Sequence, residues 1–192
     1  MDARRAPVLT WTAAPRTVPL ADGTVVLVRG ARTADADAAA LLHGRCSPET
    51  VYRRYLTAVP QVSRSWQRRL LLTEVALTVW DGRRMVALLN ASPRGDGEAD
   101  LAVLVEDAYQ GRGLGTLLVR HAAGVARLLR HRAVRALTLP SSYAARRVLA
   151  AAGAAAWEEP GDGTLVGRLL LGTGSLGGLI EPDDPPVRPP RP

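Results

Sequence analysis

Residues 103–120 read VLVEDAYQGRGLGTLLVR, and this stretch decides the architecture. Leu101, Ala102, Val103, Leu104 and Val105 form a nearly continuous apolar run, the pattern of a strand buried on both faces. Beyond the glycines, Leu114, Leu117, Leu118, Ala122, Val125, Leu128 and Leu129 recur at helical spacing, with Arg120, Arg127 and Arg130 largely off that stripe. Gly111, Gly113 and Gly115 therefore stand at a helix N-terminus. Its first-turn N–H groups lack intrahelical acceptors, and it carries the positive end of the helix dipole. Residues without side chains leave those donors open to an anion and permit the positive φ angles of a tight cradle.

The spacing separates the possible anions. A P-loop needs Gly-Lys-Ser/Thr, and the chain has no lysine. A dinucleotide fingerprint needs a sixth-position glycine, where Thr116 stands, and an acid about 20 residues on; from Ala108 to Trp157 there is no Asp or Glu. QGRGLG after an apolar strand and the turn EDAY instead resembles the acyl-CoA signature Q/R-x-x-G-x-G/A of the GCN5-related N-acetyltransferases, the GNAT family, over Thr24 to Leu171. SPETVYRRYL at residues 47–56 adds a resemblance to the GNAT domain of bacterial protein lysine acetyltransferases.

That resemblance implies a mixed α/β fold with a mostly antiparallel central sheet flanked by helices, and acetyl-CoA as acyl donor. It implies that Gln110, Gly111, Arg112, Gly113, Leu114, Gly115 and Thr116 hold the pyrophosphate. Val103, Leu104 and Val105 would offer main-chain bonds to the pantetheine arm where the strand splays at a bulge. Ser142 takes the place of an asparagine that touches this arm. A glutamate that serves as base in related lysine acetyltransferases, in the pattern A-E-x-A-x-x-V, matches Asp100 in ADLAVLV; Glu98 lies two residues earlier on the same strand face. A tyrosine that protonates the departing thiolate in the family falls near Leu149, which has no proton to give. Tyr143 is read as a surface residue. The expected activity is transfer of acetyl to a primary amine, first a protein lysine. A catalytically weakened acetyl-CoA-binding sensor or interaction module is the alternative, motivated by Asp100, Ser142 and Leu149.

Outward from this stretch, residues 1–20 read as a flexible arm, 21–171 as the acetyltransferase domain and 172–192, dense in Gly and Pro, as a disordered tail. Thr24–Arg29 reads as a strand, and Thr33 as the cap of a helix over Ala36–His43. Ser47 and Pro48 begin a second helix with Val51, Tyr52, Tyr55 and Leu56 as its buried stripe. A short helix around Trp66, Leu70 and Leu71 is followed by a hairpin, Val75–Trp80 and Met85–Ala91, turning at Asp81-Gly82-Arg83. After the central strand and helix come a strand at Val134–Leu139, a helix at Tyr143–Ala152 closed by Gly153, and a strand at Thr164–Leu171.

Composition bounds the partners. The net charge of +7 is carried by arginine alone, and eight arginines fall in the acid-free Ala108–Trp157 segment. A positive field suits the phosphates of coenzyme A. Sparse aromatic residues give no stacking platform, which argues against nucleic acid. Cys46 is the sole cysteine and the three histidines lack ligand spacing, so no metal is expected. With no apolar run long enough for a membrane span and no signal-peptide core, the reading is a cytoplasmic protein. His121, on the apolar stripe of its helix, reads as partly buried rather than catalytic.

Overall fold

The computed structural model describes residues 14–58, 63–154 and 156–172; most of the expected N-terminal arm and nearly all of the expected tail lie outside them. Eight strands make one sheet: β1 (Arg16–Pro19), β2 (Val25–Gly30), β3 (Val75–Asp81), β4 (Arg84–Pro93), β5 (Glu98–Val105), β6 (Ala133–Thr138), β7 (Ala156–Glu158) and β8 (Leu165–Leu170), in spatial order β1-β2-β3-β4-β5-β6-β8-β7. Every neighbouring pair is antiparallel except β5–β6. Five helices accompany it: α1 (Ala36–Arg45), α2 (Pro48–Tyr55), α3 (Arg64–Leu71), α4 (Leu114–Leu128) and α5 (Tyr143–Ala151).

The period of two divides the core. Val75, Leu77, Val79, Ala87, Leu89, Ala91, Ala99 and Leu101 pack on one face with Leu114, Leu118, Ala122 and Val125 of α4 and Leu149 of α5. Ala76, Met85, Leu88 and Leu104 pack on the other with Ala39 and Leu42 of α1 and Leu70 and Leu71 of α3. The apolar central strands are thus buried on both faces, as their continuous hydrophobic runs require.

Local chemistry explains the main boundaries. The Ser47 hydroxyl accepts from the Thr50 N–H at 3.2 Å, Pro48 opens α2, and Leu56 in the left-handed region closes it. The β3–β4 hairpin turns at Gly82, φ +54°, with Asp81 opposite Arg84. Gly153, φ +102°, follows the end of α5.

Five local expectations need correction. Arg16–Pro19, read as part of the arm, is an edge strand paired with Val25–Val28; its mixed, proline-bounded sequence carries no period, and the partner strand supplies the order. β7 was not anticipated either, because three residues beside a glycine-rich turn give too short a pattern. Thr33 does not cap: the Asp35 side chain accepts from the Arg32 N–H at 2.8 Å instead. Tyr52 is exposed, and Leu128 lies at the exposed edge of α4. Tyr143 is exposed at the surface, as expected.

Candidate functional site

The site begins where the sheet parts. β5 and β6 pair in parallel over only three residue pairs, Glu98 with Ala133, Ala99 with Val134 and Asp100 with Arg135. Beyond them β5 continues to Val105, still paired with β4 in unbroken register. The expected bulge is therefore absent from the β4–β5 ladder, whose one neighbouring register shift lies at Val79/Trp80 between β3 and β4. The opening arises because the parallel partner leaves, so Leu101–Val105 turn a backbone edge to the gap.

That gap is a cleft of about 410 Å³. Leu101–Val105 form one wall, Ala136–Thr138 the other; Ala145, Val148 and Leu149 of α5 close one side, and Thr50, Arg53 and Arg54 of α2 border it opposite. The glycine turn stands at its mouth. Gly111 and Gly113 have φ +74° and +84°, a conformation that L side chains rarely adopt. Gly113 caps α4, whose first intrahelical donor is Leu117 to the Gly113 carbonyl at 3.1 Å, so the N–H groups of Leu114, Gly115 and Thr116 precede the helical ladder. Gly115 has a different reason to be small: a Cβ there would come within 3.1 Å of Val148 Cγ2.

Side chains brace this turn more than they arm it. Gln110 donates from Nε2 to the Val105 carbonyl at 3.1 Å and to the Thr50 hydroxyl at 3.2 Å, tying the turn to the strand and to α2. Arg112 pairs with Asp22 at 2.6 Å and stacks over Tyr109 at 5.0 Å; the Tyr109 hydroxyl in turn donates to Asp81 at 2.7 Å. Ser142 is buried and lines the cleft at the start of α5.

Two acids of the turn EDAY, to which the sequence assigned no separate role, organise the opposite side. Asp107 accepts from the Ser47 N–H at 2.8 Å, the Ser47 hydroxyl at 2.9 Å and the Thr50 hydroxyl at 2.8 Å. Burial pushes its carboxyl up, but these hydrogen bonds outweigh it and hold it below the ordinary aspartate value. Glu106 is buried between Arg45, at 3.0 Å, and Arg84. Burial raises it, and the two guanidiniums prevail and hold it below the usual range. SPET and EDAY, some 60 residues apart, are therefore one contact. Only the pairing of both in space makes either legible.

The two carboxylates read as candidate bases lie at the closed end of the cleft, outside its lining. Asp100 is half-exposed and sits between Arg94 and Arg135, each at 3.2 Å. It occupies the last paired position, next to Leu101, on the strand face it shares with Ala102. Glu98 is buried and paired with Arg168 at 3.2 Å and Arg132 at 3.5 Å. Leu149 is buried in the core and borders the cleft. Among the described residues, the cleft lining contains Arg53, Arg54 and Arg147 and no Asp, Glu, His or Cys. Cys46 is buried, and burial, with Asp107 and Glu106 nearby, pushes its thiol up to about 12, an inert state. No group of His, Cys, Asp and Glu among the described residues is arranged to hold a metal ion, and no helix there is long and apolar enough to cross a membrane.

An apolar cleft with an exposed strand edge, closed at its mouth by unpaired helix N–H groups, fits a long, flexible thioester arm ending in a pyrophosphate. Comparison with known proteins agrees. Residues 42–154 match the Acetyltransferase (GNAT) family. An acetyltransferase from Pseudomonas aeruginosa is 31% identical over 162 residues, covering 79% of this chain and 87% of that protein. The GNAT domain of PAT from S. lividans superposes with a TM-score of 0.76 at 28% identity, over 82% of this chain and 97% of that domain. The yncA protein of Salmonella typhimurium, solved with its cofactor acetyl-CoA, shares the fold at a TM-score of 0.59 and 18% identity, over 78% of this chain and 96% of that one.

Proposed function

Because the chain belongs to the GNAT family of acetyltransferases, and so transfers acetyl from acetyl-CoA, we propose that its acceptor is a primary amine on a protein, first a lysine side chain. The likeness to the GNAT domain of the S. lividans protein acetyltransferase supports this acceptor class. The observation that carries the site is the three-pair β5–β6 contact opening toward the start of α4. In this reading the N–H groups from Gly111 to Thr116 hold the pyrophosphate, with Gln110 fixing the turn and Arg112 lending a charge it shares with Asp22. The free edge at Val103, Leu104 and Val105 binds the pantetheine arm, Ser142 borders it, and α2 faces the acceptor.

Direct attack needs a neutral amine. A lysine of pKa near 10.4 is neutral in about one molecule in 2,500 at pH 7, a handicap of about 4–5 kcal/mol. Two features of the chain address it. Arg53 and Arg147 around the cleft disfavour a bound ammonium and so favour the neutral amine. Asp100 at the closed end takes the proton through a water, with Arg94 and Arg135 holding the carboxylate in place. Glu98 is the second candidate for that role, enclosed more tightly by its own arginines. The thiolate leaves without a side-chain acid at Leu149. Positioning of the two reactants supplies much of the rate.

The experiment is calorimetric titration with acetyl-CoA followed by thiol release on a lysine-peptide pool. Asp100→Asn is expected to lower kcat by about 10–100-fold and to leave acetyl-CoA affinity unchanged. Glu98→Gln is expected to act more through stability. A second reading, a module that binds acetyl-CoA but turns over poorly, is favoured by the lack of any Asp, Glu, His or Cys among the described residues that line the cleft. Binding without thiol release on any pool would select it.

A further inference from the structure

Arg54 has no place in holding the cofactor, yet its position is costly. It borders the cleft from the last turn of α2. One end of its guanidinium donates to the Asn90 side-chain oxygen, its plane lies 4.8 Å from the Tyr55 ring, and its Nε is buried with no hydrogen-bond partner. No carboxylate among the described residues pairs with it. Arg29, Arg45, Arg84, Arg112 and Arg168, by contrast, each meet an Asp or Glu. Burial lowers the Arg54 pKa, the sign of a cation held out of water. A desolvated charge left unpaired is destabilising unless a ligand completes it.

Its level in the cleft says which ligand. Thr50, one helical turn earlier, reaches Gln110 at the mouth. Arg54 reaches Asn90, whose β5 partner is Ala102, three residues deeper than Val105. The guanidinium therefore lies about 10 Å along the strand from the phosphate-binding end. It faces the α2 side, from which the acceptor enters in the reading above, on which this inference rests. We propose that Arg54 is a specificity-determining residue that binds a carboxylate carried by the acceptor close to its reacting amine. A planar fork with a free Nε–H beside an occupied Nη suits a carboxylate better than a point charge would. The carboxylate has two sources: an Asp or Glu side chain flanking a lysine, or the α-carboxylate of a free amino acid.

The test measures kcat/KM of the full chain on paired acceptors that differ only in this charge: lysine peptides flanked by Glu or by Gln, and free amino acids or their amides. Wild type is expected to prefer the charged member of one pair by about tenfold or more, and which pair responds identifies the source. Arg54→Gln is expected to bring that ratio near one through KM, and Arg54→Lys to keep part of it. Acetyl-CoA affinity in the same samples reports that each variant is folded. Equal rates on charged and neutral acceptors by wild type would overturn the proposal. So would an Arg54→Gln loss in kcat of the same size on both members, which belongs to a residue stabilising the transition state. A chain that binds acetyl-CoA and acetylates none of these acceptors would overturn the acceptor reading on which the inference rests.

Discussion

The two sides of the cleft are built on opposite principles. The cofactor side is main chain: two glycines at positive φ, the open start of α4 and an unpaired strand edge, contributed by one continuous stretch of sequence. The acceptor side is side chain: Arg45, Ser47, Thr50 and Arg54 meet Glu106, Asp107 and Asn90 across separations of 36 to 61 residues. A main-chain site tolerates replacement of almost any side chain around it and fails when a glycine gains one. A side-chain site fails one contact at a time.

The largest effect is therefore expected from Gly113→Val. The substitution forces a β-branched residue to φ +84° at the cap of α4 and covers the N–H groups behind it. Acetyl-CoA affinity should fall about 100-fold, read by calorimetry, with the thermal midpoint lowered by only a few degrees. Gly115→Ala sharpens the comparison, because its Cβ meets Val148 Cγ2 at 3.1 Å rather than the anion; it should cost stability more than affinity. A Gly113→Val chain with wild-type affinity would mean that the cradle is not made of main chain.

This contrast also explains what the sequence could and could not disclose. The apolar run at Leu101–Val105, the glycine spacing and the stripe on α4 are local signals, and the elements they predict are present, with β5 beginning three residues earlier at Glu98. The mostly antiparallel sheet and the acetyl-CoA family follow from the resemblance they carry; the edge strands β1 and β7, which bring the sheet to eight, do not. The cause of the β5–β6 opening was not legible as a bulge, because it lies in where β6 stops following β5. Glu106 and Asp107 read as turn residues because an acid's partner cannot be seen from its own neighbourhood. Arg54 was one of 25 identical cations. What sets it apart is burial with no carboxylate beside it among the described residues, a property of three-dimensional surroundings alone.

An intermediate effect is expected at Glu106. Its carboxylate is buried and holds both Arg45 and Arg84, so Glu106→Gln leaves two guanidiniums without their counter-charge. Both arginines keep contact with water, which discounts the loss to about 2 kcal/mol, read in denaturant unfolding. Asp107→Ala is expected to cost about 1 kcal/mol, since its hydrogen bonds to Ser47 and Thr50 are exposed. It should also raise the acceptor KM, with acetyl-CoA affinity little changed. Equal losses on both substrates would show that the two sides are one mechanical unit and would break the division drawn above.

The smallest effect compares two histidines, one on each side. His121 lies on α4, the cofactor helix, where Arg16 donates to its Nδ1 at 2.9 Å; burial and that neighbouring charge push it down to about 4. His43 lies on α1, where its Nδ1 meets the Ala39 carbonyl at 2.7 Å and its Nε2 meets the Tyr55 hydroxyl at 2.5 Å. Burial pushes it down, opposed by the Ala39 bond and reinforced by Arg54. Both are held neutral in the fold, so the unfolded chain binds more protons as pH drops below the ordinary histidine value of 6.5. Stability is complete above that pH and falls as pH is lowered toward 4. The thermal midpoint of wild type should drop by about 3–6 °C between pH 6.5 and 4.5, and His121→Gln should flatten that slope. His43→Gln should flatten it less, and Arg54→Gln should act in the same direction by relieving the cation that keeps His43 neutral. If His43→Gln alone removed the slope, the acid-sensitive element would be the acceptor side, where side chains rather than main chain hold the architecture.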